Sequence, residues 1–296
     1  MKPLKISLLL TFALAVFMAC DKVQNPLPVK ETAVGTNFIT KTNAAKAHIK
    51  KVLLEDYTGH QCGNCPAAAI VAENLSAKYK DTLIVIAVHA GFFARTNTTY
   101  ATSYTTTAGN DWDGSTGFGV SAVGNPNGMV NRKVYPSFTL IQKETAWPAS
   151  VAVAKNDPFI VRVELTTNYD TSAKALNVST KLKFAANYAN SVKLNLVIMQ
   201  DSLVGDQKDY SVNPDHVEDY EFMHMLRGDI NGSWGVTAKD APIVANDSVK
   251  IENNNFAVNS IFTPQIPFND KKLYVVAIVY DAVTREVLQV EKVKIR

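Results

Sequence analysis

The chain has 296 residues, 47% of them hydrophobic and 19% charged, with 14 Gly and 12 Pro, a composition that excludes both intrinsic disorder and a fibrous repeat. Its formal charge is +3, most of it supplied by Lys2 and Lys5, and no basic block runs through it, so a nucleic-acid partner is not expected. Three cysteines are too few for a disulfide scaffold, and their positions carry most of the functional information.

Met1 to Lys5 is a short positive segment, and Ile6 to Met18 is an uncharged apolar run followed by Ala19 and Cys20. That run is shorter than the about 20 residues a membrane span needs. Its order of charge, apolar run and small residue is that of a secretory signal. A cysteine directly after the small residue resembles a bacterial lipobox. The resemblance implies a signal peptide at 1–19, cleavage before Cys20 and a membrane anchor on its acylated thiol. The alternative is an ordinary signal peptide followed by an unpaired thiol. Residues 20–47 are polar, with Pro26 and Pro28 close together, and read as a lipid-anchored linker. No later segment approaches a transmembrane length.

Lys51 to Tyr57 (KVLLEDY) reads as a short strand stopped by Thr58-Gly59. Cys62-Gly63-Asn64-Cys65-Pro66 follows, then a helical stretch with Val71, Leu75 and Tyr79 on one face and Ile70 beside them. Pro66 suits a first helical turn, where its missing N–H is not needed. Leu83 to Val88 (LIVIAV) reads as a strand buried on both faces. Strand, helix and strand make a right-handed βαβ unit. A CxxC at the helix start gains from the partial positive charge there, which favours a thiolate. Cys62, taken as the more exposed sulfur, is expected to attack a partner disulfide, Cys65 to resolve the mixed disulfide, and Asp56 to accept the Cys65 proton.

Asp56, the turn, Cys62-x-x-Cys65 and the helix together resemble the active-site segment of thioredoxin-like proteins. By that resemblance Asp56 matches the buried acid, Cys62 the nucleophile and Cys65 the resolving thiol. Gln61 and Gly63-Asn64 depart from the usual Trp and Gly-Pro. The resemblance also implies a cis-proline facing the cysteines, for which Pro126 in Gly124-Asn125-Pro126-Asn127-Gly128 is the best match and Pro136 the runner-up.

Between that strand and Pro126 lies an insertion at about 91–123, rich in Thr, Gly, Ser and Asn, which could cover the cysteines, contact a partner or decorate the surface. Asn110 to Ser115 echoes a calcium loop but lacks its terminal Glu, and no metal site is expected there. His60 is read as a solvated turn residue and His89 as structural. A zinc site from Cys62, Cys65, His60 and His89 has poor spacing. Arg227-Gly228-Asp229 spells an adhesion tripeptide but reads as a strand end and turn.

From Phe159 onward the hydrophobic period becomes two, as in Val161, Val163 and Leu165, and Asn156-Asp157-Pro158 marks a boundary. Seven or eight such strands argue for an immunoglobulin-like sandwich. The expected fold class is therefore α/β plus all-β: a thioredoxin-like α/β domain at 48–155 followed by an immunoglobulin-like β-sandwich at 156–296. The stretches 58–66, 124–132 and 224–235 resemble the 28-kilodalton outer-membrane lipoprotein family of Bacteroides-type bacteria. That family implies the same two-part architecture and an outer-membrane location, but no established activity. The leading expectation is a membrane-anchored thiol–disulfide oxidoreductase without a cofactor, acting on an unidentified protein thiol or disulfide outside the cytoplasm. The alternative is an outer-membrane or surface binding or adhesion lipoprotein whose thioredoxin-like fold is not catalytic.

Overall fold

A computed structural model describes residues 37–43, 49–262, 266 and 268–296. The signal segment and Cys20 lie outside the described residues. In chain order the elements are β1 (Phe38–Thr42), β2 (Val52–Thr58), α1 (Cys65–Tyr79), β3 (Leu83–His89), α2 (Thr107–Asp113), β4 (Asn127–Val130), α3 (Trp147–Ala154), β5 (Val161–Asp170) and β6 (Ala175–Phe184). They continue with β7 (Val192–Gln200), β8 (Leu203–Lys208), β9 (His216–Phe222), β10 (Met225–Asp229), β11 (Val236–Lys239), β12 (Ser248–Ala257), β13 (Leu273–Asp281) and β14 (Val287–Lys294). The fold is thus mixed α and β, with strand predominating.

The expected βαβ unit is present: β2 and β3 pair in parallel, with α1 between them in sequence. Every residue of β2 is buried, and β3 is buried along nearly its whole length, as its unbroken apolar run requires. One face of these strands (Val52, Leu54, Leu83, Val85) packs on Ala68, Ala72 and Leu75 of α1 and on Trp147 of α3. The other (Leu53, Tyr57, Ile84, Ile86, Val88) packs on Ala108 and Trp112 of α2. Ile70 is not on the buried face of α1; it is 62% exposed. The first two turns of α1 are apolar all round, so periodicity does not pick out a face there, and the sheet is met by the small alanines that allow close approach.

The sheet does not stop at residue 156, where the period changes. Met225 of β10 pairs in parallel with Ala87 of β3, joining both halves into one eight-stranded sheet of order β14-β13-β7-β10-β3-β2-β4, with β11 also on β7. Asn37–Arg296 accordingly form one unit by their contacts. A four-stranded sheet of order β1-β5-β6-β12 covers one face of β7 and β13. Its alternation is that read from the sequence, with Val161, Val163 and Leu165 inward. Part of the segment read as linker is strand: β1 pairs antiparallel with β5 from Phe38 to Thr42. Edge pairing needs backbone rather than an apolar run, which is why composition did not reveal it. The insertion is likewise more than loop. Thr106 caps α2 by accepting from Gly109 N (3.0 Å), and Trp112 is fully buried.

At the β4 side of the sheet Glu55 of β2 and Arg132, just past β4, form a fully buried, two-pronged ion pair, Nε to Oε2 at 2.9 Å and Nη2 to Oε1 at 2.7 Å. The guanidinium also lies over the ring of Trp112, 4.8 Å from its centroid. Arg227-Gly228-Asp229 closes β10 with Arg227 buried, in keeping with its reading as a strand end.

Candidate functional site

β2 delivers the chain to a turn at 59–64, and α1 begins at Cys65 with Pro66 in its first turn. Cys62 N donates to Gly59 O (2.9 Å) and Cys65 N to Cys62 O (3.1 Å), which sets the two cysteines on consecutive bends. They are joined as a disulfide with Cα atoms 5.3 Å apart. Gly59 lets the turn lie against the backbone at Phe93, where an added Cβ would fall 2.4 Å from a carbonyl carbon.

The expected exposure of the Cys62 sulfur is not seen, since both cysteines are buried. Cys62 and Cys65 are 3% and 2% exposed. The cover is the hairpin β8–β9 and its connecting loop, from far along the chain. Lys208 N donates to His60 O (2.8 Å), Tyr210 N to Gly63 O (2.9 Å), and the buried Gln207 side chain to Cys62 O (3.1 Å). The ring of Tyr210 rests on Gly63. Beneath the hairpin, Leu203 and Phe222 pack with Tyr104 from the insertion. Nothing near the cysteines in sequence signals this cover, because Gln207 lies 145 residues beyond Cys62.

His60 is not a solvated turn residue. It is fully buried, with its ring centroid 5.4 Å from that of Tyr104 and 6.3 Å from that of His89. Burial lowers both histidines, His89 to about 3 with His60 and Arg227 adding to the effect. A neutral His60 gives no charge to hold a thiolate. Among the described residues no three His, Cys, Asp or Glu side chains converge as a metal site requires. Residues 110–113 belong to α2, so the echo of a calcium loop falls on a helix.

Asp56 is where the sequence places it, buried near the end of β2 and 3% exposed. It shares a cavity of about 30 Å³ with Cys65 and His89. Burial, reinforced by Glu144 and opposed by His224, raises its carboxyl to about 7, and Oδ1 has no hydrogen-bond partner among the described residues. A second cavity, of about 90 Å³, joins Asp56 to Glu73 and His224. His224 Nε2 stands 3.0 Å from Glu73 Oε1 and Nδ1 3.1 Å from Asp201 Oδ1. Burial works against its charged form, but the two carboxylates hold His224 above its ordinary value. The Asn125–Pro126 bond is cis, and β4 follows it directly, with Asn127 opposite Tyr57 and Gly128 opposite Asp56 on β2. Asp56, Cys62 and Cys65 are therefore assembled at one end of β2, and Pro126 stands at the start of the neighbouring strand.

A family model described as outer membrane protein Omp28 matches residues 116–296, more than half of the chain. Among solved structures, HBP35 of Porphyromonas gingivalis is 17% identical with a TM-score of 0.56, over 84% of this chain and 76% of that one, a likeness of fold. A domain of the outer membrane lipoprotein Omp28 from Porphyromonas gingivalis is 21% identical over 43% of this chain and 80% of its own, with a TM-score of 0.26. No curated protein matches the chain. The chain belongs to the Omp28 family of outer membrane proteins, and its place is the outer membrane of the cell envelope.

Proposed function

From that membership and from the covered disulfide we propose that the protein is a lipid-anchored binding protein of the outer membrane, built on a thioredoxin-like frame whose Cys62–Cys65 pair is closed to partners. The observation that carries this reading is the seating of residues 207–210 across the turn that holds the cysteines. An attacking thiolate must reach a disulfide sulfur along its bond axis, and a hairpin bonded to His60, Cys62 and Gly63 blocks a protein partner from doing so. The anchor is Cys20, as the lipobox resemblance implies.

One observation favours a second reading, thiol–disulfide exchange. An inert disulfide has no use for a buried carboxyl with an unpartnered oxygen beside it, whereas a resolving thiol needs a proton acceptor with a value near neutral, as Asp56 has. Under this reading Cys62 attacks a partner's disulfide, a mixed disulfide forms, and Cys65 displaces it after losing its proton to Asp56.

Trapping of free thiols across a glutathione series separates the two. A potential below about −300 mV, with no alkylation of the native protein, supports the closed pair. A potential between about −270 and −120 mV, with turnover of a disulfide substrate, replaces it with the exchange reading.

A further inference from the structure

Lys50 stands just ahead of β2 and is 6% exposed. Its Nζ donates to the carbonyl oxygens of Val287 (3.0 Å) and Leu288 (2.7 Å), and among the described residues no carboxylate oxygen lies within ion-pair distance of it. An ammonium carries three donors; a neutral amine carries two donors and a lone pair. Two carbonyl acceptors therefore complete the neutral form and leave the charged form with one N–H unmatched in a buried place.

A cavity of about 170 Å³ opens beside this amine, walled by the same Val287 and Leu288. It also holds Lys133, Asp157 and Glu286. Asp157 is engaged by Lys133 Nζ at 3.4 Å and by the Tyr135 hydroxyl at 2.7 Å. The cavity thus sets a desolvated amine beside a second cation, the two conditions that activate a lysine as a nucleophile, with the carboxylates of Asp157 and Glu286 as proton acceptors in the same space.

We propose that Lys50 is an amine nucleophile that forms an imine with a small aldehyde admitted to this cavity. This site is separate from the cysteines and does not depend on either reading of them. The Nζ lone pair forms the C–N bond while the carbonyl oxygen takes up a proton. The carbinolamine then loses its hydroxyl as water, leaving the C=N bond. Asp157, one of two carboxylates lining the cavity with Glu286, carries those protons between nitrogen and oxygen. No oxidant or reductant is consumed. Burial draws the Lys50 amine down to about 7, with Asp157 opposing and Lys133 assisting.

The test treats the intact protein with acetaldehyde and sodium cyanoborohydride, which reduces any imine to an ethylamine, and maps the products by peptide mass. At pH 7 Lys50 is expected to label about tenfold or more faster than Lys250, whose side chain is 61% exposed. The Lys50 rate should level off above pH about 7. Lys133→Ala should slow Lys50 at pH 7 by returning its amine toward the charged form. Labelling of Lys50 no faster than Lys250 at pH 7, or a Lys50 rate that keeps climbing between pH 8 and pH 10, overturns the proposal.

Discussion

The ring of Tyr210 occupies the space above Gly63 so closely that a Cβ at Gly63 would lie 2.6 Å from it. This contact joins the residue inside the CxxC turn to a loop from the other half of the chain, and on the closed reading it limits access to the disulfide. Removing the ring by Tyr210→Ala should cost the closed state about 1–2 kcal/mol, roughly a tenfold larger open population. The expected outcome is a correspondingly faster reduction of Cys62–Cys65 by dithiothreitol in native buffer. An unchanged rate would mean that the hairpin does not limit access.

Asp56 makes stability depend on pH in a definite direction. Its carboxyl is raised in the folded protein, so its contribution to stability is fully present below the ordinary value of about 4 and is lost as pH rises toward about 7. Asp56→Asn should therefore be near neutral at pH 4 and stabilising by up to about 4 kcal/mol at pH 8. Urea denaturation at the two pH values checks this, and a variant equally affected at both would refute it.

The pair Glu55 and Arg132 is buried with both side chains at 0% exposure. Glu55→Gln or Arg132→Met alone should cost about 3–5 kcal/mol by stranding the other charge. The double replacement Glu55→Leu with Arg132→Met should recover part of that loss. Denaturant midpoints of the three variants decide it; additive losses would show the ions do not depend on each other.

His224 opposes the rise of the Asp56 carboxyl across the cavity both line. Replacing it by His224→Gln should raise that carboxyl further, seen as a shifted Asp56 titration in carbon-detected NMR. An unmoved titration would place the cause of the raised value wholly in burial and Glu144.

The parts of this molecule legible in its sequence are those set by near neighbours. The βαβ unit follows from one apolar run, one helix start at Cys65-Pro66 and a second run, and Asp56, Cys62 and Cys65 fall together because fewer than ten residues separate them. The alternation of β5 and β6 was equally local. What failed was set by distant partners. His60 looked like a wet turn residue until Tyr100 and Tyr104 folded over it. Ile70 looked buried because the start of α1 is apolar on all sides, and only the position of the sheet selects its face. The boundary at 156 marked a true change of period, but hydrogen bonds between strand edges leave no trace in hydrophobicity, so the join of β10 to β3 was invisible.

That join also bears on how the chain reaches its final form. Made from its N-terminus, the polypeptide completes β3 long before Met225 is available to pair with Ala87. Until then an apolar strand has an unpaired edge, the kind of surface that recruits a wrong partner. Closing so long a loop is slow, because its entropy must be spent before the contact returns anything. The first half therefore carries an open, apolar strand edge for as long as the second half is missing, and the pairing at Met225 is what closes it.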